Sequence, residues 1–359
     1  MDSKEIKPGF YWCEWNHGPI QKVVGYYVED RLYFSAWGGH PGGWWAEYIA
    51  KRAKRLIPIP DKPPKQGVSA KEDTMSHTPK WLVVYSGSKF AQDAANKICG
   101  LLQKRRIDFE KCSVFEISKK IPLEIQQTFN LAIVCGGDGT ILGTQRQLKV
   151  ENLPLVGVNL GRLGFLAEFE FSKFEEKIDQ LAEKFELRNR LRLRTTLSRN
   201  NKVIFEEIAL NEAAITQSGI SRMVGVNVFI NNQFCGNIQG DGLLIATPSG
   251  STAYSLAAGG SLAHPELETI LLTPICSHSL TVRPIILPPD RNIKVKLMDD
   301  RKAATVVTVD GQVSVEMQVG DELLVSRAPD LLTVKSTTHN FFDALQTKLN
   351  WSGHANLPQ

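Results

Sequence analysis

The chain has 359 residues, 42% of them apolar and 22% charged, with 42 Lys and Arg against 38 Asp and Glu for a net charge of +4. That length leaves room for two or three domains with a sizeable core, and the composition excludes wholesale disorder. So small a charge excess marks neither a nucleic-acid binder nor a membrane-surface binder, and no apolar run approaches the roughly 18–20 residues of a membrane helix.

In chain order, residues 1–57 come first, and five of the seven Trp and five of the seven Tyr lie in the first 48 positions. Short aromatic and β-branched runs broken by Gly, Pro, Asn and Asp predict a small antiparallel β unit. Trp44 and Trp45 are expected in its core, with a recognition surface as the alternative, and KRAKR (51–55) reads as a solvated charge run, with a nucleic-acid contact as the alternative. A Pro-rich, polar stretch without periodicity, 58–74, reads as a linker. A new domain is expected to begin at Met75.

From residue 80 strands alternate with helices. WLVVYS (81–86), LAIVC (131–135) and PLVGVN (154–159) read as buried strands. Helical patterns cover 89–105, the stretch from the glycine cluster to about Leu148, and 172–186. Such alternation implies βαβ units and a parallel sheet in an α/β domain over 75–187. From 188 to 335 the texture is a series of short strands, predicting a β-rich second domain. The tail 336–359 contains a helical pattern, 341–349, expected to pack back on the α/β domain. The six cysteines, Cys13, Cys99, Cys112, Cys135, Cys235 and Cys276, have no CxxC spacing. They read as reduced thiols of a cytoplasmic protein, and acidic residues at Asp2, Glu5, Glu14, Glu29 and Asp30 argue against a transit peptide.

The most informative local feature is GGDGT, 136–140, between a predicted strand and a helix. Gly136, Gly137 and Gly139 let backbone N–H groups approach a ligand, and the following helix start with Thr140 favours phosphate. Asp138 stands at the carboxyl end of a parallel strand, where open α/β sheets bind ligands. The alternative is a tight Asp-Gly turn with no ligand. The spacing Gly137, Gly139, Gly143 is one residue too long for the dinucleotide fingerprint, and P-loop and protein-kinase signatures are absent. A carboxylate at the centre of the turn suits a general base or metal ligand, which points to phosphoryl transfer onto a hydroxyl. Asn211-Glu212 ends an apolar strand and offers hydrogen bonds to ribose or base, unless it is only a strand-end turn. In the string 240–255, GDGLLIATPSGSTAYS, the density of small residues and hydroxyls leaves backbone groups accessible to an extended polar ligand, with Tyr254 as a stacking face.

Together GGDGT, GVNLGRLGFL, LNEAAI, GDGLLIATPSGSTAYSLAAGG, SHSLTVRPIILP and VDGQ resemble the NAD kinase family in order and spacing, over roughly 80–330. GGDGT alone is shared with diacylglycerol-type lipid kinases and phosphofructokinases, so a lipid or sugar kinase is the alternative; the TPSGSTAY string favours NAD kinase. The resemblance implies a two-domain fold of an α/β part and a β-rich part. It implies transfer of the γ-phosphoryl group of ATP to the 2′-hydroxyl of the adenosine ribose of NAD, giving NADP and ADP. It makes Asp138 the proton acceptor and places Asp138 and Gly139 beside the ribose, with Asn211 and Glu212 on the adenosine side. Asp241 and Thr252, Ala253, Tyr254, Ser255, Leu256 and Ala257 match the dinucleotide-binding stretch; Phe165, Arg222 and Gln312 are further contacts. Gln239, polar where relatives that accept NADH carry Gly, implies preference for NAD. Mg²⁺ would be carried mostly by the nucleotide, with no dedicated protein metal site. A homodimer or homotetramer is implied, with no nucleic-acid or membrane partner. Arg190, Arg192 and Arg194 alternate with leucines and read as a solvated strand face, with a clamp on the donor phosphates as the alternative, and His264 and His278 read as structural.

Overall fold

The computed structural model describes residues 79–351, apart from 151, 162–163, 219–222, 299–303 and 335–339, together with the backbone of five strands between residues 9 and 58. The chain divides into two units, Met1–Ser76 and His77–Gln359.

In the first unit β1 (Gly9–Trp15), β2 (Gln21–Val28), β3 (Arg31–Ala36), β4 (Trp44–Trp45) and β5 (Ala53–Pro58) form one sheet in the order β4-β3-β2-β1-β5. Every pairing in it is antiparallel. β5 takes in the last three residues of KRAKR and the first of the Pro-rich stretch. The side chains of Trp44, Trp45 and the basic run lie outside the described residues.

The second unit opens with alternating strands and helices. These are β6 (Lys80–Tyr85), α1 (Lys89–Lys104), β7 (Asp108–Ser113), the short α2 (Ile117–Lys120) and α3 (Leu123–Gln126), and β8 (Leu131–Cys135). α4 (Asp138–Gln147), β9 (Leu155–Asn159), β10 (Phe169–Glu170) and α5 (Glu175–Glu183) follow. β7, β6, β8 and β9 run parallel in that order. Side chains of a strand alternate between faces, so β6 sends Leu82 and Val84 to one hydrophobic cluster and Trp81 and Val83 to another. The first cluster is closed by Ile117 of α2 and Ile141 and Leu142 of α4. The second is closed by Ile98 and Leu102 of α1 and Ile178 and Leu181 of α5. α1 starts where the Ser88 hydroxyl accepts the Ala91 N–H at 3.2 Å, an ordinary N-cap. β7, with the sequence DFEKCS, buries only Cys112 because it is an edge strand, and its polar pattern hides it from hydropathy reading.

The remaining strands are β11 (Leu187–Arg199), β12 (Lys202–Ala209), β13 (Glu212–Gln217), β14 (Val224–Ile230), β15 (Gln233–Gly240) and β16 (Gly242–Ala246). After a 3₁₀ turn (Ser249–Thr252) and α6 (Tyr254–Ala257) come β17 (Ile270–Ile275), β18 (Ile285–Leu287), β19 (Ile293–Leu297), β20 (Thr305–Val309), β21 (Val313–Met317) and β22 (Glu322–Val334), and then α7 (Phe341–Leu349). Six of them form an antiparallel sheet, β18-β17-β16-β13-β20-β21. Its inner face packs Ile215, Leu243, Ile245 and Val309 against Leu193, Leu197, Val226 and Val325 of the strands opposite, a sandwich core.

The parallel sheet and the second layer of this sandwich are one sheet of eleven strands. The 13-residue β22 joins them: it runs antiparallel to β11 and β19, and its end pairs parallel to β9 with Thr333 opposite Leu155. One hydrogen-bonded layer therefore carries both the α/β region and the β-rich region.

Candidate active site

The site is built at the end of β8. That strand, LAIVC, is wholly buried, and the Gly136 N–H donates to the Val158 carbonyl of β9 at 3.0 Å before the chain turns into α4. Asp138 is the first residue of α4, with Gly137 as N-cap. Its carboxylate reaches over to the loop after β9. There Oδ2 accepts the Phe165 N–H at 3.0 Å, and Oδ1 accepts those of Leu166 and Ala167 at 3.0 and 3.1 Å. This row of three N–H donors fixes the orientation of the carboxylate. The approach demands a glycine at 164, since a Cβ there would lie 2.2 Å from Asp138 Oδ1. From the far end of the chain, Lys348 of α7 places Nζ 3.4 Å from Oδ2 and 4.8 Å over the Phe165 ring.

A second cluster forms around Asn211 and Glu212, at the start of β13. The N–H groups of Leu210, Asn211 and Glu212 all donate to the carboxylate of Asp310, at 2.9, 2.7 and 3.1 Å. Asp310 takes a positive φ of 51° in the turn between β20 and β21, and its own N–H returns to the Glu212 carbonyl at 3.0 Å. The 3₁₀ turn rests on the same segment. Thr247 Oγ1 donates to the Leu210 carbonyl and accepts the Gly250 N–H. Gly250 packs so closely that a Cβ would stand 2.1 Å from the Asn211 carbonyl oxygen.

Glu212 is only 6% exposed, and its Oε2 has no hydrogen-bond partner among the described residues. Burial, and then the neighbouring Asp310 carboxylate, push its carboxyl up to about 8, against a lowering contribution from the Tyr254 backbone N–H. Asp310 is also pushed up by burial, opposed by the three N–H groups it accepts. A buried acid with a free oxygen is a polar group waiting for a partner.

The two clusters are tied together. Gln312 Nε2 donates to the Gly139 carbonyl at 3.0 Å, and Gln145 of α4 donates to Asp310 Oδ2 at 3.4 Å. Arg190 bridges from the other side, donating to Glu168 Oε1 at 2.7 Å and to Ser249 Oγ at 3.3 Å. Arg188 shares the same Glu168 oxygen.

The structure therefore brings Asp138, Gly139, Phe165 and Gln312 together. It sets Asn211 and Glu212 beside them through Asp310, and the segment from Thr252 to Ala257 meets Glu212 through the Tyr254 backbone N–H. Within that segment the Ser255 hydroxyl is buried against Thr273 Oγ1 at 3.0 Å, whereas Tyr254 is exposed. Gly136 and Thr140 pack on each other in the turn. Asp241 lies at the junction of β15 and β16 and accepts the Cys276 thiol, which raises that thiol's pKa. Gln239 stands beside Met298, and its carbonyl accepts the His278 N–H. Arg222 lies outside the described residues. His264 packs its ring on Phe341 at 5.2 Å.

One expectation fails. Arg190 and Arg192, only 2% and 4% exposed, are not on a solvated face. Arg192 donates to the Pro329 carbonyl at 2.7 Å, and only Arg194, paired with Glu206, fits that reading. Hydropathy cannot see that Glu168 pairs with Arg190 and that a backbone carbonyl accepts from Arg192 inside the fold. Asp310 and Lys348 have no functional signal in the sequence. Asp310 carries the signal of an ordinary Asp-Gly turn, and Lys348 that of a solvated helix end.

A cavity of about 500 Å³ lined by Phe169, Lys177, Leu181 and Val334 holds none of the motif residues. The chemistry follows the convergent polar groups rather than the cavity volume. Among the described residues no three His, Cys, Asp or Glu side chains converge to hold a metal, and no helix is long and apolar enough to cross a membrane.

Comparison with known proteins gives a consistent picture. Residues 69–185 match the family model of the ATP-NAD kinase N-terminal domain, and residues 210–335 that of the ATP-NAD kinase C-terminal domain. The chain is 38% identical to an NAD kinase of Treponema denticola over 232 residues, covering 64% of this chain and 82% of that protein. It is 42% identical to an NAD kinase of Acetivibrio thermocellus over 220 residues, 60% and 76% of the two. Among solved structures, a yeast NADH kinase complexed with NADH superposes with TM-score 0.69 at 25% identity, covering 79% of this chain and 91% of that one. An NAD kinase from Archaeoglobus fulgidus in complex with ATP gives 0.60 at 25% identity, covering 76% and 97%.

Proposed function

We infer the roles of individual residues from a premise: this chain belongs to the ATP-NAD kinase family and is an NAD kinase. ATP is the phosphoryl donor, and the 2′-hydroxyl of the adenosine ribose of NAD is the acceptor. The observation that carries the assignment of roles is Asp138, held at the start of α4 by the N–H groups of Phe165, Leu166 and Ala167. A carboxylate so fixed orients the hydroxyl and accepts its proton as the bond to phosphorus forms. In a loose transition state that proton moves late, so positioning contributes more than basicity.

Gly136, Gly137, Gly139 and Thr140 form the phosphate-facing turn, with Gln312 holding the Gly139 carbonyl. Asn211 and the free oxygen of Glu212 face the adenosine, and the segment 252–257, with exposed Tyr254, receives the rest of the dinucleotide. Phe165, Asp241 and Arg222 contribute further NAD contacts, and Gln239 favours NAD over NADH. Mg²⁺ travels with the ATP phosphates, because it keeps several waters and takes few protein carboxylates; when bound it neutralises phosphate charge. A homodimer or homotetramer in the cytoplasm, with neither nucleic acid nor membrane as partner, completes the reading. The reducing cytoplasm suits the buried free thiols of Cys99, Cys112 and Cys135.

The test is NADP formation by the full chain from ATP and NAD, with NADH as competing acceptor. Asp138→Ala should lower turnover by about 10²–10⁴-fold with an unchanged circular dichroism spectrum. Full activity in that variant would remove the assigned role, and equal rates with NADH would remove the one given to Gln239.

A further inference from the structure

The carboxylate of Asp138 has about four acceptor positions. Oδ1 spends two on the N–H groups of Leu166 and Ala167, and Oδ2 spends one on that of Phe165. The remaining position on Oδ2 faces the ammonium of Lys348 at 3.4 Å. Charge-assisted bonds of this type normally close to about 2.7–2.9 Å. This contact is therefore the loosest of the four and the one an incoming hydroxyl displaces at least cost.

The ammonium is nevertheless held in place. Lys348 lies over the Phe165 ring at 4.8 Å, on a helix whose Phe341 packs on the same ring at 6.2 Å and whose Ala344 and Leu345 are buried. A capping box between Asn340 and Asp343 secures the helix start. The loop that fixes Asp138 thus also fixes the lysine.

We propose that Lys348 is a further catalytic residue of the phosphoryl transfer. It aims Asp138 Oδ2 in the free enzyme, yields that position to the ribose 2′-hydroxyl, and then presents its positive charge to the transferred phosphoryl group. This rests on Asp138 as the proton acceptor. In the step itself the hydroxyl proton passes to Asp138 Oδ2 and the bond from O2′ to the γ-phosphorus forms. The bond from that phosphorus to the β,γ-bridging oxygen breaks, and ADP leaves with its electron pair. Lys348 keeps its proton throughout and offsets charge on the equatorial oxygens.

The experiment measures NADP formation by the full chain carrying Lys348→Ala or Lys348→Arg. The alanine variant should lose about 10²-fold in kcat, with KM for NAD and for ATP close to wild type and an unchanged melting temperature. The arginine variant should stay within about tenfold of wild type. Methylammonium in the assay should restore part of the Lys348→Ala activity, while tetramethylammonium, which has no N–H, should not. An alanine variant with wild-type kcat overturns the proposal, as does a loss that neither arginine nor methylammonium repairs. If Asp138→Ala turns over normally, the Asp138 reading falls and this one with it. A normal Lys348→Ala beside an inactive Asp138→Ala overturns the role of Lys348 alone.

Discussion

Replacing Glu212 by Gln tests the electrostatics at the centre of the site. Burial and the adjacent Asp310 carboxylate raise the Glu212 pKa from 4.5 to about 8 in the folded chain. The sign follows from linkage: the folded state holds the proton more tightly than the unfolded one. The stability this group contributes is complete below about pH 4.5 and is lost as pH rises through about 8. At 1.36 kcal/mol per tenfold, the loss between about pH 5 and pH 9 is on the order of 4 kcal/mol. Gln cannot ionise, so Glu212→Gln should lack that loss. Its amide can keep the Tyr254 N–H through oxygen but leaves an NH₂ where Oε2 has no partner, at a cost of about 1 kcal/mol. The variant should therefore be slightly less stable than wild type near pH 5 and more stable by on the order of 3 kcal/mol near pH 9. Guanidinium unfolding of both proteins across that range, followed by circular dichroism without nucleotide, measures the difference. Parallel stability curves, with no crossing, would refute the argument.

Two further perturbations address the framework around Asp138. Gly164→Ala places a methyl 2.2 Å from Asp138 Oδ1, so either the carboxylate or the loop must move; turnover should fall about 10²-fold with the fold retained, as steady-state kinetics beside a melting curve would show. Arg190→Met leaves Glu168 with Arg188 as its remaining guanidinium partner inside the protein and should destabilise it by about 3 kcal/mol, measurable by urea denaturation; a neutral effect would mean that the buried pair is dispensable.

The sequence alone determined what is local. A wholly apolar strand, a glycine turn around a carboxylate, and a helix starting on that carboxylate occupy seventeen consecutive positions, 131–147. Their character needs no distant partner to be legible. The LNE and TPSGS segments are legible as motifs, but their residue types suggest accessible groups, whereas Glu212, Thr247, Ser249 and Ser251 are buried, and Thr247 and Ser251 spend their hydroxyls on carbonyls inside the fold. Their order along the chain was enough to show the family resemblance.

Only the tertiary structure decided how these segments work together, because the groups that join them are distant in sequence and ordinary in composition. Asp310 organises residues about a hundred positions earlier through three N–H bonds, and Lys348 reaches Asp138 across 210. Arg190, which a Leu-Arg alternation places on a wet surface, is buried because Glu168 and Ser249 meet it there. β22, a strand of no unusual pattern, makes one sheet of two regions that composition separates. Hydropathy and spacing record what each residue prefers by itself. Charge neutralised inside a fold, or a carboxylate held by another loop's N–H groups, is a property of pairs, and folding alone brings those pairs together.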